Sequence, residues 1–390
     1  MTDLLRSALP APDLELAQGL ARPFRFHAAL DALAAARRRP ALAGPILSDW
    51  FRQNRKVGST DRRFVQAGVY GIIRHEHFLR RVLGESAPDD ARLLETLLVL
   101  AKGEPFLGLA SEGPEADFAT ALSLPRAITD PWLATLGPTE AAHFAQVSAG
   151  RAPVVLRANR LRCTAASLAQ RLQSEGIETH PVDGLADALS LKGTANLQLS
   201  PAFRDGWFEV QDAASQHFLA ALGPLTGAHV LDLCAGAGGK SLGLAAMGAR
   251  VQAWDLRPSA LDEAARRAER AGARIRFAPP PQTGSTETGR GTYDLVVVDA
   301  PCSGTGRLRR EPTLRWGLDL SRVLPVQAEL VAQAARLVRP GGRIAYATCS
   351  LVAPENDPPV PSGLKLLSAE LLWPHRHACD GFGWRIWQAP

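Results

Sequence analysis

Two cysteines stand where an apolar run stops. Tyr293 to Val298, in the stretch YDLVVVDAPCSGTG, has the length and β-branched content of a buried strand, and Pro301 with Gly304 and Gly306 forces a loop directly after it. Asp299 and Cys302 are therefore expected at a strand's carboxyl end, the edge at which open α/β sheets bind ligands. Arg343 to Ser350, RIAYATCS, brings Cys349 to the end of a second strand. Either thiol alone is more simply a small buried hydrophobe. Their joint placement at a ligand edge is what points to chemistry.

A third run says what they would work beside. His229 to Lys240, HVLDLCAGAGGK, is a strand running into a glycine turn that opens a helix, so that Gly236, Gly238 and Gly239 admit a ligand to unpaired backbone N–H groups. The spacing matches neither a phosphate-binding P-loop nor the GxGxxG of a dinucleotide site. Asp255 ends the next strand, where a carboxylate can take both hydroxyls of a ribose. Glycine turn and strand-end acid together favour S-adenosylmethionine over other nucleotide-like ligands. Asp232, inside its strand, more simply orders the loop. Beside a methyl donor the two thiols have distinct work. Carbon 5 of a pyrimidine is a poor nucleophile until a thiolate adds at carbon 6, a step that needs an activated cysteine. After methylation the carbon-5 proton must leave and the thiolate be expelled, which employs a second group.

The elements that would position these groups follow from periodicity. The 390 residues, 46% of them hydrophobic, have room for two or three domains with sizeable cores. Residues 1–24 form a Pro-punctuated, poorly ordered lead-in. Residues 25–148 carry helical patterning, best in Thr60 to Leu83, where Phe64, Gly68, Val69, Ile72 and Ile73 share a face and Ser59, Thr60 or Asp61 can cap the start. Asp89 to Lys102 repeats the design, and shorter helices are expected near 113–121, 129–136 and 138–148. Residues 150–222 read as a small α+β segment. Its Arg157, Arg160 and Arg162, interleaved with Asn159, suit phosphate contacts or an alternating solvated strand face equally well. From 223 to 390 strands and helices alternate, which predicts a mostly parallel sheet covered by helices on both faces.

Composition narrows the setting. A formal charge of +5 helps a phosphate-rich partner without identifying one. Five scattered cysteines with no zinc-like spacing predict reduced thiols and no metal site. The first residues lack the basic start and apolar core of a signal peptide, and no apolar run approaches the roughly 20 residues that span a bilayer, so a cytoplasmic protein without membrane attachment is expected.

VLDLCAGAGGK, VDAPCSGTGRLRREPTLRW and GGRIAYATCSLVAPEN resemble the motifs of the Sun/Fmu (RsmB-like) family of RNA cytosine-C5 methyltransferases. LSDWFRQNRKVGSTDRRFVQAGVYGIIRH is similar to that family's NusB-like helical RNA-binding domain, and VVLRANRLRCT and GWFEVQDAASQ to the segment joining it to the catalytic domain. The resemblance implies a multidomain chain: an all-α NusB-like domain, a small α+β linker domain, and a C-terminal α/β, Rossmann-like class I methyltransferase domain. It implies S-adenosylmethionine as cofactor, held by Cys234, Ala235, Gly236, Ala237, Gly238, Gly239, Lys240, Asp255 and Asp299. It makes Cys349 the nucleophile and Cys302 the residue that assists product release, the reverse of DNA cytosine methyltransferases. Asp299 would bond the flipped cytosine, and Lys240 would orient the base or depress the thiolate pKa. Arg309 and Arg310, with Arg157 and Arg160, would meet RNA, and Trp316 would pack or stack nearby. The implied substrate is 16S rRNA or a 30S assembly intermediate. Rival readings are a catalytically silent ribosome-assembly protein on the same fold and a DNA cytosine methyltransferase, in which Cys349 has no role.

Three departures from the family pattern stand out. Ala237 replaces a proline usual in the glycine loop, which should loosen that turn. No acid follows the third strand, where FAPPPQTG leaves Gln282 or a backbone carbonyl to meet adenine. The stretch ENDPPVPSGLKLL is short, which would abbreviate the final sheet edge, although PHRHACDGFGWRIWQ still resembles the family's closing strand.

Overall fold

The computed structural model describes residues 14–40, 43–84, 88–102, 117–281 and 291–390. The chain divides into two compact units, Met1–Arg151 with Arg307–Leu318, and Ala152–Gly306 with Asp319–Pro390.

The first unit is helical, with helices at Leu14–Leu20, Pro23–Arg37, Ala43–Gln53, Ser59–Leu83, Asp90–Ala101, Phe118–Leu122 and Arg126–Ala149. The Ser59–Leu83 helix buries Phe64, Gly68, Val69, Ile72 and Ile73, the face expected from their spacing. Its N-cap is Gly58, which has no side chain to accept a helix N–H; Ser59, Thr60 and Asp61 all lie inside the first turn, where Asp61 accepts from the Arg25 guanidinium at 2.6 Å. Asp89 does cap its helix, accepting the Arg92 N–H at 2.8 Å. The Leu14–Leu20 helix lies where a poorly ordered lead-in was expected. It is packed because Gly19 has no Cβ, and an added one would lie 2.2 Å from the Phe64 ring. The helices expected at 129–136 and 138–148 are the two halves of Arg126–Ala149, broken at Gly137 where φ is 72°. The start of the helix expected at 113–121 lies outside the described residues.

Arg307–Leu318 completes this unit, although the sequence pattern assigned it to the methyltransferase domain. Trp316 packs against the helical core, donates its indole N–H to Glu76 at 3.1 Å and lies under the Arg37 guanidinium, 4.8 Å from the ring centroid. Arg315 is buried and donates to the carbonyls of Leu122 and Leu308, each at 2.9 Å.

The second unit contains two sheets. β1 (Val155–Ala158), β2 (Thr179–Val182), β3 (Leu185–Leu191) and β4 (Phe208–Val210) form an antiparallel sheet in the order β2-β3-β1-β4, with the helix Ala165–Ser174 packed on it. The larger sheet comprises β5 (His229–Asp232), β6 (Arg250–Ala253), β7 (Ile275–Phe277), β8 (Tyr293–Asp299), β9 (Val338–Thr348), β10 (Lys365–Leu372) and β11 (Phe382–Gln388). Its order is β10-β11-β9-β8-β5-β6-β7; β5 to β9 run parallel, while β11 and β10 are antiparallel additions at one edge. Leu295, Val296, Val297 and Val298 have no exposure, as befits a central strand covered on both faces. Burying each such side chain contributes about 1.5–3 kcal/mol. The short stretch after the TCS motif does not abbreviate the sheet, since β10 and β11 complete it.

Candidate active site

β8 and β9 are adjacent and parallel, with Asp299 in register with Ala347, so their carboxyl ends open side by side. Cys302 and Cys349 leave those ends, and their sulfurs approach to 3.3 Å. Burial and the hydrogen bond between the sulfurs have one consequence for Cys302. The bond to Cys349, then burial, then the nearby Glu355 charge push its thiol well above the ordinary range. Asp299, at the end of β8, accepts a 2.7 Å hydrogen bond from the Lys240 ammonium. Lys240 is buried in the first turn of the Gly239–Ala246 helix and also lies 5.1 Å from the Phe382 ring centroid.

The glycine loop is held from several sides. Gly236 and Gly238 adopt positive φ of 54° and 79°, which a side chain would disfavour. The Gly236 N–H donates to Asp255 at 2.8 Å. Ala237, in the place of the usual proline, is pinned through its carbonyl, which accepts from Arg267 at 2.6 Å. Asp232 accepts from Ser241 at 2.6 Å, tying strand to helix; burial and the charges of Asp299 and Asp255 outweigh that bond and raise its carboxyl to about 6. Cys234 is half-buried, and burial together with the Asp232, Asp299 and Asp255 carboxylates pushes its thiol up, which disfavours the thiolate.

Asp255 holds both carboxylate oxygens in use. Burial acts against it, but Arg257, through side chain and N–H, and the Gly236 N–H hold it below the usual range. The Arg257 side chain is 71% exposed, so its pairing is the one a ribose diol would exchange with. A strand-end carboxylate, a loop of free-approach glycines and a helix start are together the donor set that a nucleoside-bearing ligand requires. No acid occurs in Ala278–Pro281 after β7, where Gln252 instead donates to the carbonyls of Ala278 and Pro279. Gln282 lies outside the described residues.

Of the residues read as facing RNA, one is enclosed, and Trp316 takes the packing role rather than the stacking one. Arg157 is 7% exposed and donates to Gln211 and, at 3.0 Å, to the Gly239 carbonyl; burial lowers its pKa to about 10. It braces the glycine loop from β1 and keeps little surface for phosphate. Trp316 belongs to the core of the helical unit, as described above. Arg160 is half-exposed and pairs with Asp187 at 2.5 Å. Arg309 and Arg310 lie in the segment of the helical unit, where the Arg309 carbonyl accepts from Arg74 at 3.2 Å. Among the described residues no helix is long and apolar enough to cross a membrane, and no cluster of His, Cys, Asp and Glu could hold a metal ion.

Residues 219–368 match the family model described as 16S rRNA methyltransferase RsmB/F, and residues 124–198 match the Methyltr_RsmF/B-like, ferredoxin-like domain. Ribosomal RNA small subunit methyltransferase B of Salmonella arizonae is 33% identical over 235 residues, 56% of this chain and 53% of that protein. The chain belongs to the Sun/Fmu (RsmB-like) methyltransferase family. It spans about half the length of the curated relatives it matches. Two solved structures share the fold: PH0851, with a TM-score of 0.71 at 22% identity over 92% of this chain and 98% of that one, and NSun6 from Pyrococcus horikoshii with SFG, with a TM-score of 0.60 at 16% identity over 68% and 98%.

The site of this Sun/Fmu chain includes residues that sequence reasoning passed over. Glu355, with no exposure, accepts from Ser303 and Ser350, the residues that follow the two cysteines. Gln211 donates to the Gly239 carbonyl at 3.2 Å, and buried Glu209 in β4 pairs with Arg267 and Arg270. Each lies inside a stretch quoted for its resemblance, APEN or GWFEVQDAASQ, among other polar residues, so that nothing in the local pattern singled it out.

Proposed function

We propose that this chain transfers a methyl group from S-adenosylmethionine to carbon 5 of a cytosine in RNA, the small-subunit rRNA. The reading is carried by the 3.3 Å approach of two sulfurs from neighbouring strand ends beside the Lys240–Asp299 pair. The glycine loop Cys234–Lys240 and Asp255 would hold the cofactor, which when bound supplies an electrophilic methyl group. Cys349, its thiol proton released to solvent, adds as the thiolate to carbon 6, forming a C–S bond as the C5–C6 π bond breaks and leaving its electrons at carbon 5. Asp299, oriented by Lys240, accepts a hydrogen bond from the amino group on the base edge, and the Lys240 ammonium beside it offsets the charge that develops as the C–S bond forms. Once carbon 5 carries the methyl group, its proton passes to the Cys302 sulfur, which has by then given its own thiol proton to solvent and acts as the thiolate; the ring double bond re-forms, and the C–S electron pair returns to Cys349. The helical unit, on this proposal, is NusB-like and binds RNA with help from Arg160, Arg309 and Arg310, and the target base leaves its stack to reach the thiols. The protein would work in the cytoplasm on 16S rRNA or a 30S assembly intermediate.

The rival of a silent assembly protein draws on the missing acid after β7. A DNA methyltransferase would attack with Cys302 and leave Cys349 idle. Incubation with labelled methyl donor and 30S particles or their RNA separates the three. The expected result is label on cytosine, lost without RNA trapping in Cys349→Ala, and a denaturation-resistant RNA adduct in Cys302→Ala. Adduct formation by Cys349→Ala would reverse the two roles. Absence of label from wild type despite cofactor binding would support the silent scaffold.

A further inference from the structure

Glu355 sits at the centre of a buried polar knot that ties both cysteine loops together. It lies in the short helix Ala353–Asn356 and has no exposure. One oxygen accepts the Ser303 N–H at 2.8 Å and the Gln327 amide at 3.1 Å; the other accepts the Ser303 and Ser350 hydroxyls. Ser303 follows Cys302 and Ser350 follows Cys349 in the chain. The same Gln327 amide donates to the Pro301 carbonyl at 2.9 Å, gripping the first loop on its other side. Thr305 extends the knot, bonding Ser350 at 3.1 Å and accepting the Leu351 N–H at 2.9 Å. The acid is itself anchored, its carbonyl accepting the buried Tyr346 hydroxyl at 2.7 Å.

A buried carboxylate without partners is expensive, and this one has all its partners in the two loops and the helix behind them. All of the bonds run one way, from donors to the carboxylate. We infer that Glu355 is a positioning residue that fixes the separation and facing of the Cys302 and Cys349 sulfurs through Ser303 and Ser350. The catalytic meaning of that separation rests on the function proposed above, while the positioning itself does not. An amide in the same place would keep the shape yet turn an NH2 group toward two of the groups that now donate to the carboxylate. Glu355→Gln is therefore a severe change at this site, although it is isosteric. A side chain that served only to fill space would tolerate it.

The test uses the full-length protein in two assays. In the first, free of RNA, diamide oxidises the two thiols: each sulfur loses one proton and one electron to the N=N bond, giving the hydrazine and a Cys302–Cys349 disulfide, scored by peptide mass spectrometry. Wild type should cross-link rapidly, and Glu355→Gln at least about tenfold more slowly, at temperatures where both remain folded, since a shift of about 1 Å is worth about 100-fold in a rate that depends on approach. In the second, methyl transfer to 30S RNA, the same variant should lose kcat while the KM for the methyl donor is unchanged. Ser350→Ala, which removes one hydroxyl donor and no backbone group, should fall between the two in both assays, and supplies the reading if Glu355→Gln does not fold. Wild-type cross-linking in either variant, or none in wild type, overturns the inference. A thiol response in the variants together with no methyl transfer by wild type would overturn the proposed function and leave the positioning role standing.

Discussion

Asp299 gains its orientation from Lys240, and that pairing is what a substitution can probe. Asp299→Asn keeps the size of the side chain but weakens both the bond to the ammonium and the charge available to the base edge. Removal of one such preorganised group is worth about 100- to 1,000-fold. Single-turnover methyl transfer should fall by that order, with methyl-donor affinity within about threefold of wild type by calorimetry; an unchanged turnover would remove Asp299 from the chemistry. The cysteines, Asp299 and Lys240 were legible in the sequence because each sits where an apolar run or a glycine turn ends. Glu355 was not, because its partners Ser303 and Ser350 reach it through a fold that brings β8 and β9 together. Arg157 was misjudged for a related reason. Alternation along a strand says which residues share a face, and only the neighbouring helix says that this face is covered.

At the scale of elements, the antiparallel sheet braces the glycine loop of the parallel one. Arg157 in β1 and Gln211 beyond β4 meet the Gly239 carbonyl, and Glu209 in β4 holds Arg267, which holds the Ala237 carbonyl. Arg157→Met should therefore weaken S-adenosylmethionine binding by about tenfold, equivalent to about 1.4 kcal/mol, and leave RNA affinity unchanged. Parallel titrations of the two ligands check this, and a loss confined to RNA would restore the phosphate role. The parallel strands were readable from their β-branched runs and β1 nearly so. β3 and β10 were not: LADALSL and KLLSAELL are rich in helix formers, and pairing with β1 and β2, or with β11, overrides their local preference. The Gly137 break was visible as a glycine before a proline.

For the whole molecule, the helical unit contains an acid-sensitive element. His75 is buried, its Nδ1 has no partner, and burial followed by the Arg315 and Arg74 charges lowers its pKa to about 3. The unfolded chain titrates this group near its ordinary 6.5. The contribution of neutral His75 is thus fully present above about pH 6.5 and is lost as pH falls toward 3, at up to about 1.4 kcal/mol per pH unit. Hydrogen exchange at the Ile72 and Ile73 amides should show a flatter pH dependence in His75→Gln than in wild type; equal slopes would contradict it. Arg307–Leu318 packs with the helical unit although its motif residues adjoin Cys302 in the chain, because its indole and guanidinium partners, Glu76, Arg37 and Leu122, come from far upstream. That split membership carries an order of assembly. A ribosome making this protein finishes Met1–Arg151 long before Trp316 and Arg315 are available, and the whole of Ala152–Gly306 emerges in between. Until then Glu76 and the Leu122 carbonyl await their last partners, so the helical unit closes its core only after most of the other unit's strands have left the exit tunnel.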